Sequence, residues 1–187
     1  MIKTVLRTIA PLLFLMPLAG CATSSGATSH GMTFVYSDLD PVTAGEPFYQ
    51  SITIGTVTGG EETHPLLGSN IATDELEQAL QTSLIHRGIY SANNSAPLRL
   101  NAHLVDRVQH INGLEIWMTT KIRYELINPS GETMDEKIIE ARYIDQMQDH
   151  WQGSLRQQDA NEGSIRLNIR HYLHHLRYLE LSRPDQR

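Results

Sequence analysis

The sequence predicts an α+β domain: a four-stranded, mainly antiparallel sheet with two helices packed on one face, in the chain order β-α-β-β-β-α. Three patterns predict it. Residues 98–145 hold three runs in which apolar side chains recur at every second position, joined by the turn sequences Asn112-Gly113 and Asn128-Pro129-Ser130-Gly131. Two stretches, one before these runs and one after, repeat their apolar residues at spacings of three and four. A short alternating run precedes the first of them, so strands and helices are partly segregated along the chain.

The first strand falls in YQSITIGTVTGG, where Ile52, Ile54 and Val57 alternate with Ser51, Thr53 and Thr56 before the Gly59-Gly60 turn. A loop with His64-Pro65 follows. Residues 69–88, SNIATDELEQALQTSLIHRG, predict a helix with Thr73, Leu76, Ala79, Leu80, Ser83 and Leu84 on one side. Asp74 and Glu75 suit the positive end of its dipole, Gly88 is a natural stop, and Asn70 or Thr73 is the expected cap. In PLRLNAHLVDRVQH, Leu98, Leu100, Ala102, Leu104, Asp106 and Val108 share one side; in LEIWMTTKIRYELI, Leu114, Ile116, Met118, Thr120, Ile122, Tyr124 and Leu126 do. TMDEKIIEARYID is a third, less cleanly phased strand, and short turns between the three predict an antiparallel meander. The last helix runs from about Leu155 to Leu181 with Ile165, Ile169, Tyr172, Leu173, Leu176 and Leu179 in phase, and Gly163-Ser164 marks an expected bend or start.

Ahead of this domain the chain opens MIKTVLRTIAPLLFLMPLAGC, with Lys3 and Arg7 before an apolar segment too short to span a bilayer core, which needs about 20 residues. It ends in Leu18, Ala19, Gly20 and Cys21, the only cysteine of 187 residues. Leader, small residues and cysteine together resemble the lipobox of bacterial lipoproteins. That resemblance implies cleavage before Cys21, a diacylglyceryl group on its thiol and an acyl group on the new amino end. Several acyl chains give stable anchoring where one is marginal. Within that class Ala22, standing where an aspartate would retain the protein at the inner membrane, implies an outer-membrane destination facing the periplasm. The expected organisation is a signal peptide (1–20), a flexible tether (21–31), an extended arm (32–49), one periplasmic domain (50–182) and a tail (183–187).

Without residues 1–20 the chain has 167 residues, and losing Lys3 and Arg7 leaves 13 basic against 21 acidic, a net charge of −8 with histidine neutral. That balance disfavours nucleic acid and broad phosphate binding. A lone cysteine excludes an intramolecular disulfide and a thiolate metal cluster. No G-x-S-x-G elbow or G-x-G-x-x-G loop is present. His171 and His175 stand at i and i+4, but no third ligand is identifiable by spacing, so neither a metal nor a cofactor is expected beyond the lipid on Cys21.

Two surfaces remain as candidates for a partner. Trp117 is out of phase with Ile116 and Met118 and shares parity with Thr119, Lys121 and Arg123, which puts a hot-spot residue type on the polar side of its strand. Arg166, Arg170, His171, His174 and Arg177 form a basic face on the last helix opposite Ile169, Leu173 and Leu176. Trp151 is expected to pin the loop before that helix. Over residues 50–180 the element order resembles small periplasmic lipoproteins of the lipopolysaccharide-assembly kind, a likeness that no residue motif carries. The leading expectation is a non-enzymatic outer-membrane lipoprotein that binds or helps assemble another envelope protein. The alternatives are a carrier holding a small ligand or lipid between sheet and helices, and an envelope enzyme gathering His64, His103 or His110 with carboxylates in a cleft.

Overall fold

The computed structural model describes residues 26–35, 39–62, 69–93, 96–112, 115–145 and 153–182. The leader, Cys21, His64-Pro65, the Gly113 turn position, Leu114, Trp151 and the tail lie outside the described residues. The elements are α1 (Ser29–Met32), β1 (Ile52–Thr58), α2 (Thr73–Arg87), β2 (Leu98–Asn112), β3 (Glu115–Ile127), β4 (Thr133–Asp145) and α3 (Gly153–Ser182). They make one four-stranded sheet in the order β1-β2-β3-β4. β2, β3 and β4 form the antiparallel meander, and β1 pairs with β2 in parallel because α2 carries the chain back between them.

The fold is α+β, with α2 and α3 burying one face of the sheet in a shared core. β3 alternates without a break: Ile116, Met118, Thr120, Ile122, Tyr124 and Leu126 are buried, and the residues between them are not. β2 follows the same alternation only as far as Leu104. An irregularity between Leu104 and Asp106 shifts the register, so the single face expected for Leu98 through Val108 is split. Val108 is thereby 38% exposed, opposite Thr119, while Arg107 faces inward opposite Thr120. Arg107 donates to the Ser69 carbonyl and to the side-chain oxygens of Asn70 and Asn161. Burial lowers its pKa, an effect the charge of Glu61 opposes.

Two further expectations are corrected. Ala72, not Asn70 or Thr73, is the N-cap of α2; the Asn70 side chain instead serves the Glu62 carbonyl and Arg107. α3 does not start at Gly163-Ser164 but runs through it from Gly153 to Ser182. Gly163 is there because a Cβ would lie 2.4 Å from the Tyr143 ring, so the helix approaches β4 at that point without a side chain.

At the centre, the Tyr124 and Tyr172 rings stack with centroids 4.0 Å apart and an interplanar angle of 8°. Burial raises both phenol pKa values, and for Tyr172 the charge of Asp135 adds to the effect. Unfolded tyrosines ionise near pH 10, so folding keeps both neutral where the unfolded chain would lose protons. The stabilisation is therefore complete below about pH 10 and falls above it by about 1.4 kcal/mol per pH unit for each tyrosine. Urea unfolding across this range is expected to show that slope, and Tyr172→Phe to halve it.

Candidate functional site on the open face of the sheet

Both long helices lie on one side of the sheet, and the candidate surface around Trp117 lies on the other. Odd-numbered positions of β3 point there, and cross-strand register sets their neighbours. Trp117 pairs with His110 on β2 and Ile144 on β4, Thr119 with Val108 and Arg142, and Arg123 with His103 and Ile138. The His110 ring stacks on Trp117 at 5.5 Å and 26°, and the Arg142 guanidinium lies 4.6 Å from the indole centroid on the diagonal. Trp117 is half-buried by these two groups. Ile144 and Ile138, at 46% and 54% exposure, extend an apolar surface beside it, and Lys121 with Glu140, 3.3 Å apart, interrupts that surface with an ion pair. Arm residues Met32, Phe34, Leu39, Val42 and Phe48 are buried in the core with the helices.

The basic face of α3 is less available than its sequence suggests. Arg166 donates to the Gly31 carbonyl, and the Arg170 guanidinium stands over the Phe34 ring at 5.9 Å. Both hold the N-terminal segment. His171 is exposed, and partial burial together with the charges of Arg170 and His174 lowers its pKa. His174 is half-buried, and exposed Arg177 borders a surface concavity with Asp40, Glu46 and Arg87. His175 is engaged by Asp135 at 2.9 Å, so the i, i+4 pair does not present two free imidazoles to one ion. Among the described residues no group of three or more His, Cys, Asp or Glu is placed to hold a metal.

Of the histidines considered for an enzyme, the two among the described residues are not brought together. The His103 ring meets the Thr58 hydroxyl at 2.7 Å, whereas His110 lies on Trp117, seven residues further along the same strand, and His64 is outside the described residues. Where a carrier would need space, Leu100, Ile122 and Tyr124 of the sheet are packed against Leu80, Leu84, Ile169 and Leu173 of the helices, and Met118 packs with Ile116 and Ala160.

This architecture occurs in solved bacterial proteins. A candidate lipoprotein of Caulobacter crescentus CB15 matches with a TM-score of 0.52 at 15% identity, covering 72% of this chain and 94% of that one. A Xanthomonas campestris protein of the family DUF330 matches with a TM-score of 0.53 at 10% identity, covering 75% and 91%. At these identities the likeness is one of fold. No protein-family model and no curated protein matches the sequence.

Sequence reasoning missed the N-terminal segment. Residues 26–31, expected within a flexible tether, are packed: Ala27 is buried, its N–H donates to the Asn70 carbonyl at 2.9 Å, and α1 sits on α2 and α3. Small polar residues hid it. The available signals were Thr28, whose side chain accepts from the Gly31 N–H as an N-cap, and the apolar pair Met32 and Phe34. No helix of the described residues is long and apolar enough to cross a membrane.

Proposed function

We propose that the protein is an outer-membrane lipoprotein, anchored through Cys21 on the periplasmic side, that acts without catalysis as a binding or assembly factor for another envelope protein. The lipobox supports the anchor. The observation that carries the binding role is the sheet face opposite the two long helices, on which Trp117 is held between His110 and Arg142 beside Ile144 and Val108. A tryptophan held by its neighbours loses little side-chain freedom on binding, and tryptophan and arginine dominate interface hot spots. The lipid confines the domain near its target and raises the effective concentration of this face toward a membrane-held partner.

The test is recovery of the full-length protein in mild detergent with mass spectrometry, against Cys21→Ala, which cannot be lipidated. One envelope protein in stoichiometric amount, diminished in the control, is the expected result. Trp117→Ala is then expected to weaken that complex about 30-fold, or about 2 kcal/mol, while losing about 1 kcal/mol of stability or less with its cation–π contact. Full affinity in a folded Trp117→Ala protein would move the interface elsewhere.

A further inference from the structure

We propose that residues 26–35 are a strap that fixes how the domain hangs from the membrane, with the helical side toward the bilayer and the Trp117 face turned away. The inference rests on Cys21 carrying the lipid. The segment lies against both long helices, and each offers it a stripe of polar groups at helical spacing. On α3 the stripe is Glu162, Arg166 and Arg170. Glu162 is buried, and its Oε1 accepts from the N–H and the hydroxyl of Thr28, both at 2.9 Å. Arg166 holds the Gly31 carbonyl, and Arg170 covers Phe34. On α2 the Glu75 carboxylate accepts from the Ser29 N–H, Gln78 from the Ser29 hydroxyl at 2.9 Å, and the Ser83 hydroxyl from the Phe34 N–H at 3.0 Å.

The serine, threonine and glycine of the segment offer little apolar surface, so charge-assisted hydrogen bonds hold it together with the buried side chains of Ala27, Met32 and Phe34. The fit is close: a Cβ on Gly31 would lie 1.8 Å from the Glu162 carboxylate.

Chain length converts this docking into geometry. Ala27 is held by the Asn70 carbonyl and stands six residues after Cys21, so the lipid lies within about 20 Å of it whatever path the chain between them takes. That point is beside Asn70, just ahead of α2 on the helical side. The open sheet face is a further helix diameter and sheet thickness away, about 20 Å in all, so a leash of this length favours helices toward the membrane. If the strap let go as far as Val42, whose N–H is held by the Arg87 carbonyl, the leash would lengthen to about 70 Å and the orientation would be lost.

The lipidated full-length protein is reconstituted into phosphatidylethanolamine–phosphatidylglycerol vesicles containing acceptor-labelled lipid. A donor dye is placed at Asp74→Cys, exposed at the start of α2, or at Glu140→Cys on the open sheet face. With the Cys21 thiol in the lipid linkage, each introduced cysteine is the only free thiol. Energy transfer is expected to be stronger from position 74 than from position 140. The double variant Met32→Asp/Glu162→Ala is expected to bring the ratio toward unity while far-UV circular dichroism stays unchanged. Equal transfer from the two sites in the otherwise native protein would overturn the strap, and needs no destabilised variant. A ratio that survives in a folded double variant would overturn it too. Intact mass separates the two levels: no lipid on Cys21 removes the anchor and the strap's role together, whereas lipid present with equal transfer removes the strap alone.

Discussion

Asn168→Ala is expected to lower the free energy of unfolding by about 4 kcal/mol. Asn168 is fully buried on α3 and serves two strands at once. Its Oδ1 accepts from the Tyr124 hydroxyl at 3.0 Å, and its Nδ2 donates to the Thr120 carbonyl at 3.2 Å and the Ile139 carbonyl at 2.9 Å. Alanine leaves those three groups without this partner, and a buried orphan loses about 1–3 kcal/mol, with relaxation recovering part of the total. Against a domain stability of roughly 5–15 kcal/mol the loss is large, and denaturant titration at neutral pH measures it. Adding Tyr124→Phe removes one orphan and is expected to return about 1 kcal/mol. If the double variant is no more stable than the single one, the hydroxyl has found another partner and the network is not cooperative. Thr120 lies three residues from Trp117 on β3, so the same bonds support the sheet from behind its open face.

What the sequence made legible depended on whether a residue's environment follows from its own element. The alternation of β3 places Trp117 and Ile116 on opposite faces, because a regular strand admits only two sides. The helices follow from their apolar spacing for the same reason. β2 broke the rule at one point: the irregularity after Leu104 reverses the parity of everything beyond it, and nothing in LVDRVQ announces an extra residue. Gly163 reads as a breaker in one dimension and is a contact in three, since the Tyr143 ring that requires it lies 20 residues away on another element. The basic stripe of α3 was legible as charge but not as occupied charge, because its partners, Gly31 and Phe34, belong to a segment whose composition suggests a linker. A docked strap and a free tether share a sequence style, and they differ in what the folded body presents to them.

A second large effect is expected at the start of α3. Arg156→Met should destabilise the protein by about 3–5 kcal/mol, because it leaves the carboxylate of Asp145 buried without its counter-charge. Arg156 Nε stands 2.6 Å from Asp145 Oδ2, with the two side chains only 8% and 0% exposed. Asp145 ends β4 and Arg156 lies in the first turn of α3, so the pair joins helix and edge strand where the chain leaves the sheet. An intact buried pair contributes little net stability, since desolvation offsets its attraction, and the penalty arises when one partner goes. Asp145→Leu/Arg156→Met is therefore expected to recover most of the loss, and the double-mutant cycle isolates the coupling. A single-variant loss under about 1 kcal/mol would mean that Asp145 is already compensated by other groups. The strap stripe begins between this ion pair and Asn168, at Glu162 and Arg166, and continues to Arg170 one turn beyond. Loosening α3 at Arg156 should thus loosen the strap before the core. In Arg156→Met, under conditions where the domain stays folded, the Thr28 and Ser29 amides held by Glu162 and Glu75 are expected to exchange faster with solvent. Unchanged exchange there would show that the strap's grip does not depend on how the first turn of α3 is seated.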